Sequence, residues 1–155
     1  MTARPENVVP IDRAFKRGSR ALELCVLVVE DDAADAYLID RALMANPIIG
    51  SVVHARDAAE ALWLILTGAV ASDVVLIDLH MERNSGFQRL IDCAALDPPN
   101  FPAVVLTCLT APTKAMRQRL RGALCVTSKP DTVGALEQFL AMAVTSACRP
   151  WPLSA

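Results

Sequence analysis

Hydrophobic and polar positions follow two different rhythms along this chain. Five short apolar runs predict strands, and the longer runs have the length of strands that are buried on both faces of a sheet. They cover residues 24–29, 52–53, 74–77, 103–108 and 124–127. After each run, apolar residues recur every three or four positions, which predicts amphipathic helices. These helices are expected over residues 33–45, 58–67, 87–96, 112–121 and 132–147.

Helix-ending and helix-starting residues stand at the borders of these segments. Pro47 follows the first helical segment, and Pro98 and Pro99 follow the third. Asp57 precedes the second helix as a candidate N-cap, and Gly68 follows it as a candidate C-terminal stop. The segments therefore carry their own boundary signals.

Five repeats of strand then helix predict an α/β fold with helices on both faces of a parallel sheet. We expect a flavodoxin-like, doubly wound, five-stranded sheet of order 2-1-3-4-5 with five helices. Residues 22–148 are expected to form this domain. Residues 1–21 are expected to be a basic, partly disordered leader, and residues 149–155 a C-terminal tail.

Composition narrows the class of protein. The chain has 155 residues, of which 54% are hydrophobic, and this composition argues against disorder across the whole chain. No apolar run reaches the roughly 18 residues that a membrane span needs, and no secretory signal is present, so we expect a cytoplasmic protein. A net charge of −2 argues against nucleic-acid binding. Five cysteines without C-x-x-C spacing indicate reduced thiols.

Polar side chains stand at the ends of four apolar runs. In doubly wound sheets, ligands bind outside the carboxyl ends of the strands, so these residues are expected to meet. They are Glu30, Asp31, Asp78, Thr107 and Lys129.

Three clustered carboxylates repel one another, and a divalent cation removes that conflict. Mg²⁺ prefers oxygen ligands, so Glu30, Asp31 and Asp78 suit it. Lys129 supplies a positive charge and Thr107 a hydroxyl donor, which together could hold phosphoryl oxygens while Asp78 acts as the nucleophile. The alternative is a solvated turn, since acidic residues such as Asp31, Asp32 and Asp35 favour a helix N-terminus without any metal.

Four segments resemble the signature segments of bacterial response-regulator receiver domains. They are V-L-V-V-E-D-D, D-L-H-M-E-R-N-S-G, A-V-V-L-T and S-K-P, each at the end of a predicted strand. The run V-E-D-D-A-A-D-A-Y-L-I-D-R-A-L is also similar to a subgroup of stand-alone receivers associated with bacteriophytochromes. The resemblance covers residues 24–147.

The resemblance implies a role for each matching residue. Asp78 would be the phosphoacceptor. The metal would be held by Glu30, Asp31, Asp78 and the backbone carbonyl of His80. Thr107 and Lys129 would contact the phosphoryl group, and Gly86 would end the loop after the phosphoacceptor.

The implied function is a single-domain response regulator in a two-component phosphorelay. A sensor histidine kinase or a histidine phosphotransfer protein would donate the phosphoryl group, and a downstream protein target would receive the signal by contact. Nucleic acid and membrane are not expected partners, and a homodimer is left open. The chain would not be a turnover enzyme, beyond hydrolysing its own phospho-aspartate.

The sequence departs from the family at three positions. Glu82 stands where proline is usual, Cys108 where a small residue is usual, and Val126 where an aromatic residue is frequent. Glu82 and Val126 leave open a pseudo-receiver, a binding module that keeps the fold without the switch. A haloacid-dehalogenase-type phosphatase is a further alternative, although His80 stands where its second acid belongs.

Overall fold

The computed structural model describes residues 23–80, 86–95, 101–107, 113–121, 123, 125–129 and 132–147. Within them lie five strands that form one sheet. They are β1 (Leu24–Val29), β2 (Ile49–Ala55), β3 (Val74–Asp78), β4 (Ala103–Thr107) and β5 (Cys125–Ser128). The strands lie in the order β2-β1-β3-β4-β5, and every neighbouring pair is parallel. The predicted fold class and strand order are confirmed.

The helices cover both faces of this sheet. They are α1 (Ala33–Met44), α2 (Ala58–Leu66), α3 (Phe87–Ala94), α4 (Lys114–Arg119) and α5 (Val133–Ala147). One hydrophobic core joins α2 and α3 to the sheet around Phe87 and Leu90. A second core joins α1 and α5 to the opposite face around Ile39, Leu43 and Leu140. Each strand of the sheet interior is therefore apolar on both sides, which explains its continuous hydrophobic run.

Side-chain caps fix where the helices begin. The Asp57 Oδ1 atom accepts a hydrogen bond from the Glu60 backbone N–H at 2.7 Å, as the sequence predicts for the start of α2. Asp32 caps α1 in the same way, accepting from the Asp35 N–H at 2.9 Å. Gly68 follows α2 with a φ of +71°, a conformation that glycine adopts without strain. The carboxylate-rich segment after β1 thus turns directly into α1.

The largest difference from the predicted elements concerns β2, which has seven residues rather than two. This strand pairs with β1 alone, at the edge of the sheet, so several of its positions face solvent. Gly50, Ser51 and His54 occupy exposed positions and break the apolar run that marks the other strands. Because β2 is an edge strand with exposed polar positions, the hydrophobic pattern predicted only two of its seven residues.

Some predictions fall on residues outside the described part of the chain. These are the leader over residues 1–21, the tail over 149–155, and the departures at Glu82 and Cys108. Among the described side chains, Cys25 and Cys93 are free thiols and half-buried. In the same part of the chain, no helix combines the length and apolar character of a membrane span.

Candidate functional site at the carboxyl edge of the sheet

The register of the sheet brings the predicted strand-end residues to one edge. Val29 pairs with Ile77, so Glu30 and Asp78 follow at adjacent positions of neighbouring strands. Further along the same edge of the sheet, Thr107 is the last residue of β4 and pairs with Ser128 of β5. Glu30 and Asp78 are each 4% exposed and Thr107 is 2% exposed. These are the three buried polar residues in the described part of the chain, and all three lie at this edge.

Glu30 is a buried carboxylate that lacks a full set of partners. Its Oε1 atom accepts a hydrogen bond from the Asp32 N–H at 3.0 Å. Its Oε2 atom is buried and has no hydrogen-bond partner among the described residues. Burial, together with the adjoining Asp78 carboxyl, raises the pKa of Glu30 to about 9. An orphaned carboxylate oxygen of this kind needs a proton or a cation.

Asp78 is held by the backbone of the turn that follows β3. The His80 N–H donates a hydrogen bond to the Asp78 Oδ1 atom at 2.9 Å. This bond fixes the carboxyl group at the strand end, where it lies close to two other acids. Glu30, Asp35 and Asp78 each place a carboxylate oxygen within 4.8 Å of the others. The spacing and the oxygen chemistry of these groups suit a hard divalent cation.

Lys129 is the basic residue at this edge. Its backbone N–H donates to the Thr107 carbonyl at 2.6 Å, which fixes the start of the segment after β5. Its Nζ atom donates to the Asp35 Oδ2 atom at 2.8 Å. Burial alone would lower the pKa of Lys129, but the hydrogen bond to Asp35 and the charges of Asp35, Asp78 and Glu30 outweigh burial and raise it. Lys129 therefore carries a positive charge among carboxylates.

The structure brings together Glu30, Asp78, Thr107 and Lys129 as the sequence predicts. Asp31 is exposed and lies outside the group of three carboxylates, so its place as a metal ligand stays a prediction. The same holds for the His80 carbonyl. Asp35 belongs to this group of carboxylates, although the sequence analysis considered it only as an acidic residue at a helix N-terminus. Its signal was its place in the first turn of a helix that begins at a strand's carboxyl end, since that turn borders the same sheet edge.

Comparison with curated proteins finds two similar bacterial enzymes. No protein-family model matches the chain. It is 34% identical over 111 residues to protein-glutamate methylesterase/protein-glutamine glutaminase 3 of Anaeromyxobacter dehalogenans, and 35% identical over 115 residues to methylesterase/glutaminase 1 of Caulobacter vibrioides. These matches cover 70% and 72% of this chain. The chain spans about a third of the length of these relatives, 31% and 32%.

Solved structures give the same fold. The response regulator domain of Thermotoga maritima CheB superposes with a TM-score of 0.67 at 22% identity, covering 84% of this chain and 99% of that one. The phosphorylated cyanobacterial phytochrome response regulator RcpA superposes with a TM-score of 0.63 at 23% identity, and the match covers 76% of this chain and 89% of RcpA. The Mn²⁺-bound response regulator Rcp1 superposes with a TM-score of 0.64 at 19% identity, and the match covers 85% of this chain and 99% of Rcp1. The chain thus has the fold of a response-regulator receiver domain, with a phytochrome response regulator among the structures it resembles.

Proposed function

We propose that this chain is a phosphorylation switch that accepts a phosphoryl group on Asp78. The observation that carries the proposal is the meeting of buried Asp78 with Glu30, Thr107 and Lys129 at one sheet edge. Structures of the same fold include a phosphorylated response regulator, RcpA. The donor would be a sensor histidine kinase or a histidine phosphotransfer protein.

The chemistry follows from the positions of these groups. A carboxylate oxygen of Asp78 attacks the phosphorus of the donor, an acyl-phosphate bond forms, and the bond from phosphorus to the donor's leaving group breaks. The leaving group, an imidazole nitrogen in a phosphohistidine, takes up a proton. The His80 N–H orients Asp78 for the attack. Lys129 and Thr107 would hold two of the phosphoryl oxygens as charge builds up on them.

A divalent metal fits the same site. The orphaned Oε2 atom of Glu30 and the carboxylate of Asp78 are oxygen donors of the kind that Mg²⁺ prefers. We assign the metal to Glu30, Asp31, Asp78 and the His80 carbonyl. When bound, the cation supplies positive charge that offsets the phosphoryl oxygens. Rcp1, which has this fold, is a Mn²⁺-bound response regulator, and we propose Mg²⁺ for this chain.

The test is direct phosphorylation by a small phosphodonor. Wild-type protein is incubated with Mg²⁺ and acetyl phosphate, and intact mass spectrometry measures the addition of one phosphoryl group. We expect modification of the wild type, and none of Asp78→Asn, since the amide is not a nucleophile. Asp92→Asn, which neutralises an exposed acid on α3, is the matched control and should react as the wild type does.

Two results would contradict the proposal. Equal modification of wild type and Asp78→Asn would remove Asp78 as the acceptor. Absence of both phosphorylation and Mg²⁺-dependent binding of beryllofluoride, a phosphoryl mimic, would favour a pseudo-receiver that binds partners without switching. Multiple turnover of an external phosphate ester would instead favour a phosphohydrolase.

The output that we propose is contact with a downstream protein. Phosphorylation adds negative charge at the edge of the sheet and changes which groups Thr107 and Lys129 hold. The surface around these residues would then differ between the two states, and a cytoplasmic partner would read the difference. The chain acts here as an acceptor and not as a turnover enzyme.

A further inference from the structure

The ion pair between Lys129 and Asp35 joins two residues that are 94 positions apart in the chain. Lys129 is 16% exposed and Asp35 is 39% exposed, so the pair lies at the mouth of the site. Among the described residues, Asp35 is the carboxylate within 4.0 Å of the Lys129 ammonium. Lys129 is therefore paired with the first turn of α1 rather than with the strand-end acids Glu30 and Asp78.

This pairing has a cost for phosphoryl binding. An ammonium group that donates to the Asp35 oxygen at 2.8 Å must give up or share that bond before it can contact a phosphoryl oxygen on Asp78. Glu30, Asp35 and Asp78 are close enough for the exchange, because their oxygens lie within 4.8 Å of one another. A short movement of the flexible lysine side chain would transfer it from one acceptor to the other.

We propose that Asp35 is a positioning residue that holds Lys129 in the resting state and competes with the phosphoryl group for it. The inference rests on the proposed function, because it takes the phosphoryl group on Asp78 as the second acceptor. Phosphorylation draws Lys129 away from Asp35, which leaves a carboxylate unpaired in the first turn of α1. Asp35 thus couples the state of the site to the surface of that helix.

The test measures beryllofluoride affinity by ¹⁹F NMR at saturating Mg²⁺, so that differences in metal affinity do not enter. Asp35→Asn should bind the mimic about three- to fivefold more tightly than wild type, since a partly exposed ion pair no longer competes. Asp35→Glu, which keeps the carboxylate, should return towards wild-type affinity. In a Lys129→Ala background, Asp35→Asn should have no effect, because the residue acts through Lys129.

Asp40→Asn is the matched control. Asp40 lies on the same helix and is also 39% exposed. Its Oδ1 atom lies 3.4 Å from the His54 Nε2 atom, so its partner is a residue outside the site. The control removes the same charge and should leave beryllofluoride affinity within about 1.5-fold of wild type, the effect expected of a surface charge. Thermal unfolding verifies that each variant is folded. If Asp35→Asn does not fold, Asp35→Ser replaces it as the variant without the carboxylate.

The outcomes separate the two proposals. If wild-type protein binds no beryllofluoride with Mg²⁺, the proposed function fails and this inference fails with it. If wild type binds it and Asp35→Asn matches Asp40→Asn, the inference alone is wrong. Weaker binding by Asp35→Asn at saturating Mg²⁺ would also overturn it, because Asp35 would then support the bound state rather than compete with it.

Discussion

Glu30 and Asp78 lie side by side at the carboxyl ends of neighbouring strands, and each is only 4% exposed. Two buried acids at such a position destabilise one another unless one of them holds a proton or a cation lies between them. Burial, together with the adjoining Asp78 carboxyl, accounts for the raised pKa of Glu30, about 9. We therefore expect both the stability of the domain and its proposed metal binding to depend on pH.

The first prediction concerns stability in the absence of metal. The folded protein keeps a proton on Glu30 up to about pH 9, whereas the unfolded chain loses it near the ordinary value of 4.5. Between these values the folded state binds more protons than the unfolded state, so the free energy of unfolding falls as pH rises. Thermal melts in chelator from about pH 5 to pH 9 should show this decline.

The matched variants for that measurement are Glu30→Gln and Glu137→Gln. The first removes the titrating group and should flatten the decline. The second neutralises an exposed acid on α5 and should retain it. A decline of equal slope in all three proteins would show that Glu30 is not its source.

The second prediction concerns metal binding. A cation at the site must displace the proton that Glu30 holds, so Mg²⁺ affinity should increase with pH up to about 9 and binding should release a proton. Calorimetric titrations in two buffers of different ionisation enthalpy measure that release. Affinity that does not change with pH would mean that Glu30 does not ligate the metal in its charged form.

The third prediction separates the scaffold from the site. The Asp57 carboxylate caps α2, on the opposite face of the sheet from α1. Asp57→Ala should lower the free energy of unfolding by about 1 kcal/mol, since an N–H at the start of α2 loses its acceptor. Asp57→Asn, which can still accept that bond, should cost only a few tenths of this. Phosphorylation of either folded variant should proceed as in wild type, because α2 contributes no group to the site.

The sequence predicted the sheet and the strand-end residues because both depend on local patterns. An apolar run bounded by turns predicts a buried strand, and parallel strands place their ends at one edge. The sequence could not distinguish Asp31 from Asp35 in the same way. After Glu30 the backbone leaves the strand and enters α1 within three residues, so the direction of each side chain depends on where the Asp32 cap starts the helix. That position is decided by packing of α1 on the sheet, which involves residues far away in the chain.

The edge strand shows a second limit of the same kind. β2 has one neighbouring strand, so its exposed positions tolerate Ser51 and His54 and its hydrophobic pattern is weak. Its length is set by pairing with β1, from Leu24 opposite Ile49 to Val29 opposite Ala55. Pairing between segments is a tertiary property that the pattern of one segment does not contain.

The last prediction concerns Asp31, which the resemblance assigns to the metal although its side chain is exposed. Asp31 follows Glu30 directly, and a hydrogen bond with its side chain contributes to the raised pKa of Glu30, so its carboxylate lies next to the proposed metal site. Asp31→Asn should therefore lower Mg²⁺ affinity by at least about tenfold, because even outer partners of a metal commonly contribute that much.

Asp32→Asn is the matched control: it removes the same charge one residue further on, and asparagine still caps α1. Its affinity should stay within about twofold of wild type, as expected for a nearby charge that does not bind the ion. Equal losses in the two variants would show that Asp31 contributes only its charge, and the metal would then be held by the group of Glu30, Asp35 and Asp78.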